Sequence, residues 1–289
     1  MALFQTKYLI RKRALGDVLW IEPLIRQLSL RNRKLIVCTK YKELFNNYPL
    51  ANVRFVHSLS LYHKINLRFH RFMKSQSLYI DLENAYESSP NMHLLHAYQS
   101  KAGMPLTYEY PRIYVKDNDS KLITKECYAI LHLETNSTRN YRNVHGVDWK
   151  EVVEYLNKQE ISVWQIGLNP QIIPGAIYKE TKSIPELINI LQTCTIFIGI
   201  DSGPSHIAAS LEKKSLLFFG AINPWFRHFQ NLFKGVIMQS KCEFQNCYHT
   251  QKWTNGPSCK LVGDTGVPKC SLFSTYDVIK NLEKILESD

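Results

Sequence analysis

The sequence predicts an α/β protein of two successive domains, each built on a mostly parallel sheet. Three observations carry that expectation. Short apolar runs alternate with stretches of helical period, the order of βαβ units whose sheet is covered on both faces. The alternation breaks once, at the polar turn-forming run KDNDSK of residues 116–121, and then restarts. At 289 residues the chain has room for two domains of ordinary size. The expected domains are residues 1–118 and 119–289, with strand ends facing a cleft between them, where ligands prefer to bind.

In the first domain KYLIRKR reads as a strand, residues 17–30 as an amphipathic helix, KLIVCT as a second strand, YKELFNNY as a short helix and VRFVHS as a third strand. QSLYIDL is a fourth strand, and HLLHAYQSKAG is a helix that Gly103 closes. After the break CYAILHLE is a buried strand, DWKEVVEYLNKQ a helix, SVWQIG a strand and SIPELINILQTC a helix. IFIGID, SHIAASLE and SLLFFG then repeat strand, helix and strand, and TYDVIKNLEKIL ends the chain as a helix.

Hydrophobic residues make up 45% and charged residues 21%, globular values, with no low-complexity tract or internal repeat. No window is long and apolar enough for a membrane span, and the N-terminus lacks the pattern of an export signal. A cytoplasmic location is expected, and peripheral attachment to the inner membrane face agrees with the charge. Lys and Arg number 36 against 25 Asp and Glu, a formal charge of +11. Such an excess favours anionic partners: nucleotide phosphates, acidic lipid surfaces or nucleic acid. Part of it sits in LYHKINLRFHRFMKSQ, residues 61–76, where Lys64, Arg68, Arg71 and Lys74 recur between aromatic residues. The plainer reading there is the solvated face of a helix rather than a dedicated anion site.

Seven cysteines, an odd number without an export signal, argue against a disulfide framework. Cys38, Cys127 and Cys194 lie in apolar strand or helix patterns and read as small buried side chains. Cys242, Cys247, Cys259 and Cys270 fall instead in one turn-rich segment, residues 242–270, with the spacing C-x4-C-x11-C-x10-C. Three readings stay open: four thiolates, with His249 as a further ligand, holding a structural zinc or iron, four unbonded cysteines, or, with the least support, disulfides. Four sulfurs leave no open coordination position, so a metal there would brace the loop rather than act in catalysis.

Two acids stand at strand-to-helix junctions. In RALGDVLWIEPLIRQL, residues 13–28, Asp17 follows the first strand at the sheet end where α/β proteins bind ligands. Taken by itself it reads as a helix N-cap, the commonest use of Asp in that position. In FIGIDSGPSHIAASLEKKSLLFFGAINPW, residues 197–225, a strand delivers Asp201 to a Ser-Gly-Pro-Ser turn and a helix begins at once. Free N–H groups near Ser202 and Gly203, with the helix dipole behind them, would make an anion site fit for a phosphate. His206 follows one turn on, either as a contact to the same ligand or as a core histidine. The triplet Asp117 to Asp119 copies the Asp-x-Asp of metal-dependent transferases but lies in the linker and reads as a turn.

ALGDVLWIEPLIRQL and IGIDSGPSHIAASL with LLFFGAINP resemble the two signature segments of glycosyltransferase family 9, the heptosyltransferase-like enzymes of bacterial surface polysaccharide assembly. YAILHLETNSTRNYRNVHGVDWKEVVEYLNKQEISVWQIG is similar to the family's start of the second domain, and YIDLENAYES with HAYQSKAGMPL to its acceptor-side segment. The resemblance implies the GT-B fold, two Rossmann-like domains facing a central cleft. It also implies inverting transfer of a sugar from a nucleotide-diphosphate sugar to the hydroxyl of a lipopolysaccharide-type or lipid-linked glycan. Asp17 would then be the general base, and Gly16, Asp201, Ser202, Gly203 and His206 would hold the donor. The Lys that the family carries ahead of the tryptophan matching Trp149 is absent. Arg139 and Arg142 stand in that stretch and take its expected place as phosphate-binding cation. No cofactor is expected for catalysis, since guanidinium groups and a helix N-terminus meet the leaving diphosphate.

Two other readings fit parts of the sequence. A phage-type DNA glycosyltransferase acting on a hydroxylated base would use the +11 charge to hold the DNA backbone. A non-catalytic nucleotide-sugar-binding module would keep the fold without transfer, and the presence of both Asp17 and Asp201 argues against it. A dinucleotide oxidoreductase fails at its fingerprint, because RALGDV has one glycine where three are needed.

Overall fold

The computed structural model describes residues 6–72, 78–115, 127–135, 140–249, 259 and 266–288, the side chains of Asn140 and His249 excepted. The chain falls into two compact units, Met1–Asp117 and Asn118–Asp289. The run KDNDSK, with the triplet Asp117 to Asp119, lies outside the described residues, as does Lys74.

The first unit carries strands β1 (Thr6–Ile10), β2 (Lys34–Cys38), β3 (Val53–Val56) and β4 (Tyr79–Asp81). They form a parallel sheet in the order β3-β2-β1-β4, with Ile10 opposite Cys38 on one side and Asp81 on the other. Leu9, Ile10, Leu35, Val37 and Cys38 are buried, as central parallel strands covered on both faces require.

The single helix expected over 17–30 is two, α1 (Leu15–Leu19) and α2 (Glu22–Ser29). Pro23 is the cause. In a continuous helix it would have no N–H for the carbonyl of Leu19 and its ring would collide with that carbonyl, so the chain turns at Trp20 and Ile21. Pro23 then serves in the first turn of α2, where its missing N–H costs nothing.

Helix α2 buries Leu24, Ile25, Leu28 and, with them, Glu22. A buried carboxylate needs partners. Glu22 accepts from Arg26 Nε at 2.8 Å, the Arg112 backbone N–H at 2.9 Å and the Tyr48 hydroxyl at 3.2 Å. Arg26 reaches on to Glu109 at 2.7 Å. Helix α3 (Leu61–Phe72) is held to the sheet by His63, whose ring nitrogens lie 2.7 Å from the Tyr8 hydroxyl and 2.8 Å from the Tyr79 hydroxyl. In α4 (Leu94–Lys101), Gln99 bonds the Thr107 hydroxyl at 2.8 Å and its N–H at 3.0 Å, and Gly103 closes the helix with φ 65°. Residues 104–115 are thereby strapped down by side chains although they belong to no strand or helix.

The second unit carries β5 (Tyr128–His132), β6 (Ser162–Gln165), β7 (Ile177–Tyr178), β8 (Ile196–Ile200), β9 (Ser215–Phe219) and β10 (Gly235–Gln239). These pair in parallel in the order β10-β9-β8-β5-β6-β7. The helices are α5 (Trp149–Lys158), α6 (Ile184–Thr193), α7 (Gly203–Ser210) and α8 (Thr275–Glu287). Asp148, Ser183 and Ser274 start three of them, each side chain accepting from a first-turn N–H that has no partner within its own helix. Val152, Val153 and Leu156 of α5 and Leu282 of α8 pack with Ile198 and Phe218 in the core. Strands β7 and β10 were not expected. The first has two exposed residues, and the second opens on Gly235 and buries no residue fully.

Both sheets share one topology. The first three strands step outward in one direction and the fourth returns to the other side of the first, so the strand order reverses between β1 and β4 and between β5 and β8. In open α/β sheets ligands bind outside the carboxyl ends of the strands at that reversal. Cys38 and Cys194 are buried as expected, whereas Cys127 is exposed. It precedes the first residue of β5, and its carbonyl accepts from the Ser162 N–H at 3.0 Å. Among the described residues no helix is long and apolar enough to cross a membrane.

Candidate active site

In the second unit β8 ends at Ile200 and delivers Asp201, buried, to the reversal point. Arg142 Nη2 lies 3.2 Å from its Oδ2, His206 Nε2 3.4 Å from its Oδ1 and Arg227 Nε 4.0 Å from its Oδ2. Burial alone would push this carboxyl up. The hydrogen bond with His206 and the charges of Arg142 and Arg227 outweigh it and hold the group far below the usual carboxylate range, so Asp201 is an ion. Two guanidinium groups against one carboxylate leave a net positive charge. Arg142, its side chain 29% exposed against 8% for Arg227, is the cation that reaches solvent.

Arg142 is carried by the helical turn Asn140–Arg142, which rests on Gly220 at the end of β9. A Cβ on Gly220 would lie 1.9 Å from the Tyr141 carbonyl oxygen, so this approach requires glycine. Arg139 lies outside the described residues.

The start of α7 differs from expectation. Ser202 is its N-cap, but the Ser202 N–H donates to Ser205 Oγ at 3.0 Å, and the Ser205 hydroxyl donates back to the Ser202 carbonyl at 2.7 Å. Pro204 has no N–H. Two positions that would offer a donor to an anion therefore do not, which leaves Gly203 a smaller share and gives side chains a larger one. Ser202 Oγ sits 3.2 Å from Nδ1 of His132, the last residue of β5, so the two strands beside the reversal are joined. Burial lowers the His132 pKa to about 4, with Glu134 opposing, and keeps the ring neutral. His206 is placed as a core histidine, 5% exposed, stacked on His228 at 5.1 Å and in contact with Asp201.

In the first unit Asp17 is not the cap. Ala14 is, at φ 59° with no side-chain bond, and Asp17 is the third residue of α1, after buried Gly16. A non-glycine residue at that φ is a strained turn of the kind that functional sites retain. Asp17 Oδ2 instead pairs with Nη2 of Arg11, the residue that follows β1. Arg11 is buried, donates through Nη1 to the Leu82 carbonyl beyond β4 at 3.3 Å, and lies 5.6 Å from the Tyr98 ring centre. It therefore ties both strands of the reversal to the acid. Among the described residues Asp17 Oδ1 accepts no hydrogen bond, and the side chain is 24% exposed.

Arg11, His132 and Arg227 escaped the sequence reading. Arg11 and His132 had a signal, a polar residue closing an apolar strand, whereas Arg227 had none nearby. Cys242, Cys247 and Cys259 are half-buried, Cys270 is buried, and none of the four is joined in a disulfide. Burial and the three other sulfurs push Cys270 up to about 12, so the four feel one another. Even so, among the described residues no three His, Cys, Asp or Glu side chains are set as a ready metal group.

Two parallel sheets of this order in one chain define a GT-B glycosyltransferase fold. Residues 91–253 match glycosyltransferase family 9 (heptosyltransferase), and the chain belongs to that family. It is similar in fold to the bacterial iron-containing dodecameric glycosyltransferase TibC from enterotoxigenic E. coli H10407, with TM-score 0.74 and 16% identity over 98% of this chain and 76% of that one. TibC has also been solved in complex with ADP-D-beta-D-heptose. A glycosyl transferase family 9 structure from Veillonella parvula DSM 2008 matches with TM-score 0.69 and 14% identity over 100% of this chain and 99% of that one. A stretch of 118 residues, 40% of this chain, is 23% identical to the glutamine–fructose-6-phosphate aminotransferase of Pyrococcus horikoshii, of whose length the chain spans 20%.

Proposed function

We propose that this chain is an inverting glycosyltransferase, taking a sugar from a nucleotide-diphosphate sugar and passing it to a hydroxyl of a lipopolysaccharide-type surface glycan. The observation that carries the reading is an acid at each sheet reversal, each in a different electrostatic setting. Asp201 is clasped by Arg142, His206 and Arg227, and the net positive charge there suits a diphosphate. Asp17 is fixed through one oxygen by Arg11 and keeps the other for a proton.

In the step, the acceptor oxygen bonds to the anomeric carbon and its proton passes to Asp17. The bond from that carbon to the diphosphate oxygen breaks, and its electron pair leaves with the diphosphate, which Arg142, Ser202 and Gly203 stabilise. A single displacement of this kind inverts the anomeric centre. An ADP-linked sugar is the leading donor, because TibC was solved with one. The enzyme works in the cytoplasm.

In the same reading the segment 242–270 holds a structural iron or zinc. Burial and the neighbouring sulfurs raise the Cys247 and Cys270 thiols, four thiols are a donor set suited to either ion, and TibC is iron-containing. The metal would fix the local fold of the segment, and no part of the transfer passes through it.

The test is incubation of the purified protein with ADP-, UDP- and GDP-sugars, followed by native mass spectrometry and assay of the released nucleotide. One ADP-sugar is expected to be retained and, with a surface-glycan acceptor, consumed. Retention of no nucleotide-sugar, with salt-sensitive binding of duplex DNA instead, would transfer the reading to a DNA-acting enzyme.

A further inference from the structure

We infer that α3 is a membrane-contact helix whose outward face lies on an anionic bilayer surface. One side of the helix is the core side, with Leu67 buried and His63 bonded to Tyr8 and Tyr79. The opposite face is solvated, as expected, with Lys64, Arg68 and Arg71 exposed, and it carries apolar residues as well. Leu61, Tyr62, Ile65, Phe69 and Phe72 are each between 57% and 83% exposed. At about 100° per residue these five fall within an arc of about 100°, so they form one continuous stripe rather than scattered apolar residues.

Along one border of the stripe runs a basic row, Lys64, Arg68 and Arg71, all exposed, of which Arg71 is paired with Asp81 at 2.5 Å. An apolar stripe rich in aromatic residues and bordered by cations is the pattern of helices that lie in the plane of a bilayer interface. Charge selects this occupant over a second copy of the chain. Two copies packed antiparallel through the stripe would set their basic rows side by side, in a protein that already carries +11. Acidic headgroups would meet the same row with opposite charge.

The inference deepens the reading of an enzyme whose acceptor is a surface glycan. Its test needs neither donor nor acceptor, so its failure leaves sugar transfer untouched. The full chain is floated with vesicles of phosphatidylglycerol and phosphatidylcholine and, separately, with phosphatidylcholine alone. Flotation is expected with the anionic vesicles and is reversed by high salt. Phe69→Ser with Phe72→Ser, and independently Lys64→Glu with Arg68→Glu, should each lower the bound fraction roughly tenfold or more while leaving the far-ultraviolet circular dichroism unchanged. The inference falls if the wild-type chain does not float, or if both double variants float as well as it does. It also falls if the Phe pair converts an oligomer to a monomer without changing vesicle binding, which would give the face to a second copy.

Discussion

Arg142 Nη2 donates twice to Asp201, to its backbone oxygen at 2.5 Å and to its carboxylate at 3.2 Å. One guanidinium thus sets both the main chain and the side chain at the reversal point. The depressed pKa of Asp201 means that its contribution to stability is complete above the usual carboxylate range and is lost as pH falls below about 4. Arg142→Met removes part of that depression. Acid unfolding should then begin at higher pH, and stability at neutral pH should fall by about 2 kcal/mol. Denaturant titrations at pH 7 and at low pH check this; an unchanged acid midpoint would assign the effect to His206 and Arg227 alone.

Asp17→Asn should preserve the fold and donor binding while lowering transfer by about two to four decades, the size of a general-base contribution. Arg11→Met should lower kcat with little change in the KM for donor, and Arg11→Lys should restore part of the loss, because Arg11 acts by holding the base. Steady-state kinetics separate the two roles. Normal turnover by the Asn variant would leave Asp17 a structural partner of Arg11.

His132 gives a second pH signature, of opposite origin. Its folded pKa of about 4 lies below the usual 6.5, so between these values the unfolded chain binds a proton that the native chain does not. Stability should therefore rise from about pH 4 to about 6.5, by up to about 3 kcal/mol from this group, and gain nothing further from it at higher pH. His132→Gln should flatten that slope in urea midpoints measured across the window. A slope of undiminished size would mean that another group titrates there.

Gly220→Ala tests the seat of the Arg142 turn. The added methyl would meet the Tyr141 carbonyl oxygen at 1.9 Å, and neither backbone can yield without moving the other. A stability loss of about 1–3 kcal/mol is expected, with donor affinity weakened roughly tenfold as Arg142 is displaced. Titration calorimetry with ADP reads the second effect. Wild-type affinity in the variant would show that the turn is not part of donor binding.

For the cysteine segment the expected outcome is close to one iron or zinc per chain by elemental analysis of protein purified without added metal. Cys270→Ser should lower that content and make the segment more sensitive to protease, since metal binding and local folding are coupled. Donor binding at Ser202 and Gly203 should persist. Metal-free protein with four freely reactive thiols would leave the alternative of unbonded cysteines.

Much of this architecture was legible because its cues are local. The βα alternation, the caps at Asp148, Ser183 and Ser274 and the two acids at strand ends are each written within a few residues. The partners of those acids are not. Arg142 and Asp201 are 59 residues apart, and nothing in NYRNVHG announces the pairing. The break at Pro23 was legible in principle, but the strong helical period on either side of it masked it. Helix α3 shows the limit of periodicity, since one turn repeat serves both a core face and an outward apolar face, and only burial tells them apart.

The strap over residues 104–115 has a consequence for how the first unit forms. Glu22 and Arg26 are placed early, yet the partners that complete them, Glu109 and the backbone of Arg112, lie 83 and 90 positions later in the chain. Until that stretch emerges during synthesis, an acid that is fully enclosed in the finished unit lacks one of its three donors. Closure of the sheet layer and completion of its polar network are thus separate events, with the second late and long-range. A nascent chain halted before Glu109 would hold the apolar layer of the unit without the contacts that settle its buried charge.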